Sequence, residues 1–460
     1  MTETYPVAII GRGPVGLVSS TLLSQQRIPH VVFERHSSTS IHPKACGMNM
    51  RTIEIFSQMG IEDQVLEQRA LPETVSRIAW YTNLGPNGLE IIGRDTWEGG
   101  KYVDEYKRAS PCPYVVIPQI RLEPILLQQA RKLNPHGIHY GVEVTDVDGG
   151  GDHVSLTICE KGKSEARKLK VCYVVGADGG RALTDNLGIK WEGEKDIVEM
   201  VSAHFKAPIS LHHPDPRVFI TWCIDPKQGG SINTGYLYHL GPYPSIPETE
   251  EWLFACEINP DEPKEFTAED MVKRMHGTLH IPNLEVEIKS ISHWRVNSIV
   301  AERYRSPKGR IFLISDAAHP LQSFFNPLDA DYDARCRAVY MALESLDSEF
   351  HALGAEIGWN SPDHGGQLLL NGELDCIEYH ASILPGHNVP HAWLERDGVT
   401  LSTRDLLPPD RFVWLTSEPY YRERPEHDLV RIERIGGDLG WRDVDGKWAE
   451  SSHAQRVASV

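Results

Sequence analysis

At 460 residues with 40% hydrophobic content, the chain can hold two or three ordinary soluble domains. A formal net charge of −18 argues against nucleic acid or an anionic membrane as partner and reads simply as solubility. No run approaches the roughly 18 apolar residues of a membrane span. No basic, apolar leader precedes the first strand. The eight cysteines are scattered without a C-x-x-C pair, so neither a disulfide frame nor a zinc site is expected; no metal site is read from the sequence, and the expected compartment is the cytoplasm.

The first element is the apolar run Val7–Ile10, a buried parallel strand. Gly11, Gly13 and Gly16 follow in G-x-G-x-x-G spacing, the turn that lets a pyrophosphate approach the backbone at a helix N-terminus. Leu17, Leu22 and Leu23 read as the apolar face of that helix. Arg12 is unusual inside the turn, but its side chain can point outward. A second strand, Val31–Phe33, ends at Glu34, a carboxylate placed to take the ribose hydroxyls of an adenosine. A polar loop then passes Arg35, Lys44 and Gly47 on the way to a helix over Arg51–Gly60. Lys44 and Arg51 read either as a solvated basic pair or as phosphate contacts.

Residues 71–115 lose periodicity and gain aromatic residues, an excursion into a second domain. A helix starts at Gln119–Leu126 with leucines on one face. Strands follow at 138–147, 153–158 and 171–175, the last running into Gly176-Ala177-Asp178-Gly179. Residues 190–300 read as β-rich, with short runs such as Val218–Trp222 and Leu253–Cys256 between turns. Gly309–His319 then repeats the pattern of buried strand, sharp turn and helix.

Three strand-to-turn junctions thus stand out: Gly11–Gly16, Gly176–Gly179 and Leu313–His319. In an open parallel sheet, ligands lie beyond the carboxyl ends of the strands. The words G-x-G-x-x-G, G-A-D-G and G-R-x-F-L-x-x-D-A-A-H, in this order, resemble the FAD-dependent aromatic hydroxylases of the p-hydroxybenzoate and phenol hydroxylase type. The resemblance implies an α/β fold, with a Rossmann-like FAD-binding domain (1–70, 114–189, 301–345) interleaved with a β-rich substrate domain (71–113, 190–300). From Leu353, words such as Gly354–Gly358, Pro385–His391 and Leu401–Leu407 resemble the thioredoxin-like C-terminal domain of the phenol hydroxylase branch, spanning 353–460 here. The resemblance also implies that NAD(P)H reduces a bound FAD and that O₂ supplies the oxygen entering a phenolic or aromatic polyketide-like substrate. Glu34 would bind the adenosine ribose and Arg121 the FAD diphosphate or ribityl side. Asp178 and Gly179 would sit in the groove shared with NAD(P)H, and Asp316 would hydrogen-bond the ribityl chain. Lys44 stands where the family usually has Arg. Arg35 and Gly47 complete the expected cofactor set. Taken singly, Asp178-Gly179 could be a plain turn and Asp316 a helix cap. The catalytic base is unassigned, with Tyr236, Tyr238, His239 and His293 as candidates. A homodimer is left open. A flavin halogenase would carry a W-x-W-x-I-P word, which is absent.

The resemblance breaks after D-A-A-H. The family continues with P-x-x-G-x-G-x-N and a long helical region; here PLQSFFNPLDADYDARCRAVYMALESLDSEF follows His319, and both glycines are missing. Ser315 also replaces a glycine of the family pattern. The adenosine half of the site therefore reads as intact and the flavin-ring half as damaged, either by a deletion in an active parent or with another segment filling the gap. In the first case the chain is a non-catalytic homologue that binds nucleotide or a partner.

Overall fold

The computed structural model describes residues 4–163, 165–180, 183–224, 235–258, 266–318, 351–358, 376–383, 387–417, 430–438 and 440–456. The segment 319–350, with His319 and the stretch that departs from the family pattern, lies outside them. The chain forms two compact units, Met1–Gly47, Ile61–Arg94 and Val116–Ala330 in one, Met48–Gly60, Asp95–Val115 and Asp331–Val460 in the other.

The first unit holds two seven-stranded sheets. The mainly parallel one starts from β1 (Thr4–Ile10), whose Ala8 and Ile9 are fully buried. β1 lies between β2 (His30–Glu34) and the strand Ala166–Gly176, parallel to both. Ile138–Tyr140 extends the sheet beyond β2, and Ile311–Leu313 pairs in parallel with the end of Ala166–Gly176. Val154–Glu160 and Val142–Asp148 complete it as an antiparallel meander. Helix α1 (Pro14–Gln25) follows the glycine turn, with Gly13 as N-cap and Pro14 at its first position, where a missing N–H costs nothing. The helix buries Gly16, Leu17, Ser20 and Thr21, while Leu22 and Leu23 are only half-buried, so the apolar face read from the sequence is displaced. The small residues and two local bonds explain it. Thr21 Oγ1 donates back to Leu17 O, and Ser20 Oγ bonds the buried His30 ring at 2.8 Å, so these hydroxyls can be buried without an orphaned group.

The second sheet has the order Glu287–Ala301, Trp191–Lys206, Glu251–Glu257, Gly235–Gly241, Val218–Cys223, Arg77–Tyr81, Glu90–Asp95. Alternation along the strands gives it two different faces. One carries Tyr81, Val201, Ala203, Phe205, Leu237 and Phe254 and packs on Met271, Met275 and Leu279 of the helix Ala268–Leu279. That helix lies within the stretch read as β-rich. It is fixed by a capping box in which Thr267 and Asp270 satisfy each other's backbone N–H groups.

In the second unit the helix Met50–Met59 is capped by Asn49, whose side chain accepts from Thr52 N, and closed by Gly60 at φ 73°. Its buried Glu54 accepts from Ser110 Oγ and forms an ion pair with the buried Arg404 at 2.5 Å. Arg404 is presented by a capping box between Ser402 and Asp405. The described strands form a three-stranded sheet around Trp393–Arg396 and a parallel pair, Phe412–Thr416 with Val430–Arg434. Among the described residues no helix is long and apolar enough to cross a membrane, and no group of three or more His, Cys, Asp or Glu could hold a metal.

Candidate functional site

Register brings the three junctions together. Phe33, Ile10, Gly176 and Leu313 are successive partners across the parallel strands, so those strands end at one level. Hydrogen bonds then join the turns beyond them: Gly11 N donates to Phe33 O, Ala177 N to Ile10 O and Ile314 N to Gly176 O, all at 2.8–2.9 Å. The approach is closer than a side chain allows. A Cβ on Gly11, where φ is +98°, would lie 2.2 Å from Ala177 O; one on Gly180 would lie 2.4 Å from Asp316 O. One on Gly16 would lie 2.2 Å from Gly11 O. Gly13 is different, because a Cβ there meets nothing within 4 Å among the described residues. Its missing side chain serves no packing need among them and leaves room for a ligand against the backbone.

Glu34 is buried beside this row. Its Oε2 accepts Arg12 N at 3.0 Å and its Oε1 accepts His36 N at 2.8 Å, which fixes the carboxylate and leaves a lone pair on each oxygen. Arg12 does not point outward: it is 2% exposed, its guanidinium lying 4.6 Å from the Tyr140 ring centre with Nη2 donating to Ser38 O. The sequence argument missed it because the turn's backbone does not decide where residue 12 sends its side chain. Glu123, also missed, is 2% exposed and accepts Ser40 N and Gln119 Nε2. Its R-x-E spacing from Arg121 on a helix was the only available signal.

Asp178 Oδ2 accepts Leu183 N and Oδ1 accepts Gly180 N, so its carboxylate holds the second turn, whose Gly179 has φ +76°. Asp316 is exposed in a short 3₁₀ turn, Ser315–Ala317, so the strand is followed first by that turn; any helix after it lies outside the described residues. Ser315 holds φ +56°, a region that favours glycine. Arg121 donates through Nε to Leu240 O and pairs with Glu251 at 3.6 Å. Arg35, Lys44 and Gly47 are exposed, Lys44 with φ +51°.

The other face of the second sheet carries an aromatic row. Trp222 lies opposite Trp80 on one neighbouring strand and Tyr236 on the other, with ring centres 4.7 and 6.1 Å apart. The loop before Gly47 reaches this face, because Tyr238 Oη donates to Lys44 O and His42 Nδ1 lies 3.2 Å from Ser290 Oγ. Three of the four candidate bases are moved away from neutrality by their surroundings. Burial pushes the Tyr236 and Tyr238 phenols up and holds His239 down to about 4. His293 Nε2 accepts Phe266 N, a structural bond.

A strand-level row of three turns around a cradle kept open at Gly13, with the Glu34 carboxylate beside it, fits a dinucleotide of FAD's length. The sequence model of an FAD binding domain matches residues 4–323. The chain belongs to the FAD binding domain family. FAD is therefore the cofactor of this chain. The chain is 26% identical to a tetracenomycin A2 monooxygenase-dioxygenase of Streptomyces glaucescens, over all of this chain and 92% of that protein. The alignment runs over 526 positions, so it contains gaps where this 460-residue chain lacks residues. A 4-methyl-5-nitrocatechol 5-monooxygenase of Burkholderia is 28% identical over 68% of this chain and 56% of its own length. Among solved structures, the flavin-dependent monooxygenase PieE, in complex with FAD and substrate, matches with a TM-score of 0.84 at 23% identity, covering 97% of this chain and 92% of its own. That likeness shows the fold.

Proposed function

We propose that the chain is an FAD-dependent monooxygenase that hydroxylates a phenolic or aromatic polyketide-like small molecule with NAD(P)H and O₂. The observation that carries this reading is the level row of Phe33, Ile10, Gly176 and Leu313, which sets three ligand-binding turns side by side where a single nicotinamide site needs one. FAD, when bound, supplies electron transfer from NAD(P)H and activation of O₂. The chain's own part is to hold and to shield. Glu34 offers one free lone pair per oxygen to the ribose hydroxyls. Gly11, Gly13 and Gly16 admit the diphosphate at the start of α1. Arg121 stands for the diphosphate or ribityl side, Asp178 and Gly179 for the groove shared with NAD(P)H, and Asp316 for the ribityl hydroxyls. Arg35, Lys44 and Gly47 complete the set. Trp80, Trp222 and Tyr236 offer a flat wall for an aromatic ring and keep water from it. The domain limits 1–70, 114–189 and 301–345 for FAD, 71–113 and 190–300 for substrate, and 353–460 for a thioredoxin-like domain belong to the same proposal, as does a cytoplasmic location.

A second reading, a nucleotide-binding homologue without turnover, is favoured by one feature: residues 322–327 contain no glycine where the resemblance expects two. One experiment separates them. Purify the full chain, identify the nucleotide released on denaturation, and follow NAD(P)H, peroxide and hydroxylated product with a panel of phenols. FAD with coupled product supports the first reading; FAD without NAD(P)H consumption leaves the second; release of NAD or FMN alone refutes the first.

A further inference from the structure

The loop that runs from the cofactor row to the aromatic face is held at a strained residue by one side chain. Tyr238 Oη donates to Lys44 O at 2.9 Å. Lys44 stands at φ +51°, a conformation that is costly for a residue with a side chain and persists only where its surroundings impose it. The next residues are fastened elsewhere: Ala45 O accepts Gln119 N at 2.9 Å and Cys46 O accepts Ile117 N at 2.8 Å. Those two bonds tie the loop to the start of the helix Gln119–Leu133, which carries Arg121. Arg121 in turn donates through Nε to Leu240 O at 2.9 Å. Tyr238 and Leu240 are two residues apart on the strand Gly235–Gly241, a step of about 7 Å. One strand end thus holds two cations of the expected cofactor set, Lys44 by its carbonyl and Arg121 by its guanidinium. A ligand can reach both, since Lys44 is exposed and Arg121 half-buried. Tyr238 itself is 8% exposed, its ring centre 5.5 Å from that of Phe219 and 6.3 Å from that of Tyr236. Burial pushes its phenol well up, so the hydroxyl keeps its proton and stays a donor.

We propose that Tyr238 is a positioning residue of the FAD site, its hydroxyl fixing the left-handed turn at Lys44 so that the ammonium is presented, with Arg121, to the anionic diphosphate. This rests on the FAD site of the preceding reading. Tyr238 takes no proton in this role and acts through Lys44. The role has a signature that a packing tyrosine lacks. Without the hydroxyl, residue 44 is free to relax, so the lost bond and the released strain oppose each other in the ligand-free chain, while the complex loses a placed cation.

The test is a double-mutant cycle of Tyr238→Phe and Lys44→Ala in the full chain. The FAD dissociation constant is measured at low and high salt, with the melting temperature of ligand-free protein alongside. Phenylalanine keeps the ring and its packing. Lys44→Ala is expected to lower FAD affinity on the order of tenfold and Tyr238→Phe roughly threefold to tenfold. The double variant is expected to bind no more weakly than Lys44→Ala. Both single variants are expected to lose part of the salt dependence that wild type shows, because salt screens an exposed cation. The ligand-free melting temperature of Tyr238→Phe is expected close to wild type. Wild-type affinity in Tyr238→Phe overturns the proposal whatever its melting temperature. So does a Tyr238→Phe loss that persists undiminished in the Lys44→Ala background, because the hydroxyl then acts on the fold and not through Lys44. Wild-type affinity in Lys44→Ala overturns it too and leaves FAD binding in place. If wild type takes up no FAD, the functional reading falls and this one with it.

Discussion

Gly13 and Gly16 belong to one motif, and the structure predicts opposite consequences for the same added methyl group. At Gly16 a Cβ would lie 2.2 Å from Gly11 O and 3.1 Å from Gly11 C, both backbone atoms. Ordinary contact begins at 3.4 Å, so strand and helix must separate by about an ångström. Overpacking of that kind costs about 1–3 kcal/mol, and more where backbone must move. At Gly13, φ is −62° and a Cβ meets nothing within 4 Å among the described residues. Two small effects oppose each other there. Alanine restricts the unfolded chain, a gain of about 0.4–1 kcal/mol, while it is a poorer N-cap than glycine by a similar amount. The ligand-free Gly13→Ala chain should therefore melt close to wild type. Its FAD affinity should fall, because the methyl occupies the side from which the diphosphate must reach the backbone N–H groups. Losing one or two such charged hydrogen bonds, at about 1.5–3 kcal/mol each, is at least about tenfold in affinity. The assay pairs thermal unfolding of ligand-free Gly13→Ala and Gly16→Ala with FAD titration. Wild-type FAD affinity in Gly13→Ala would refute the placement of the diphosphate. Wild-type stability in Gly16→Ala would refute the close helix–strand approach.

Three further outcomes follow from the same geometry. Ser315→Gly should stabilise the chain by about 1 kcal/mol, because Ser315 is held at φ +56°, where a side chain is strained; an unchanged or lowered melting temperature would show that the turn imposes no such cost. Glu34→Ala should lower both FAD affinity and ligand-free stability, since the N–H groups of Arg12 and His36 lose their acceptors, at about 1–3 kcal/mol for each one left buried and unpaired; loss of FAD with no loss of stability would mean those bonds are replaced by water. Stability should also fall as the solution is acidified from pH 6.5 towards 4. Burial holds His213, His239 and His391 down to about 4, against 6.5 for an unperturbed imidazole. Across that window the unfolded chain binds more protons than the folded one, so stability is complete above 6.5 and drains away below it. For His391, which is 2% exposed, the loss is on the order of 3 kcal/mol. His391→Gln should flatten part of that slope in urea unfolding series at several pH values, and an unaltered slope would refute the assignment.

What the sequence could disclose depended on whether backbone or side chain carried the information. The glycine turn, the strand ending at Glu34 and the strands leading into Asp178 and Asp316 are backbone patterns, set by short apolar runs and by glycines that tolerate close approach. These three strands, and Thr4–Ile10 before the glycine turn, are present where their apolar runs placed them. The helix Ala268–Leu279 was equally legible in Thr267-x-x-Asp270 and in the spacing of Met271, Met275 and Leu279, but the β-rich context around it drew the reading away. The face of α1 was misread for another reason. Leucine looks more buried than serine or threonine until a partner such as His30 Nε2 is available to satisfy the hydroxyl, and that partner lies on another strand.

The same distinction decides what the cofactor site can and cannot be said to be made of. A row of strand ends is fixed by register, and register by which residues are apolar; Ile10, Gly176 and Leu313 are level because slipping a strand by one residue would turn its buried face to water. Side chains around that row answer to local balances of charge. Asp178 is spent on its own turn, and Arg121 is shared between Leu240 O and Glu251, so each must exchange a bond within the chain for one to the ligand. Glu34 can take a ligand without giving anything up, since each oxygen uses one lone pair and keeps another. Binding free energy is a difference between bonds formed and bonds broken. On that ground the end of the row that carries Glu34 should contribute more of the affinity for FAD than Asp178 and Arg121, although the sequence pattern gives no hint of that order.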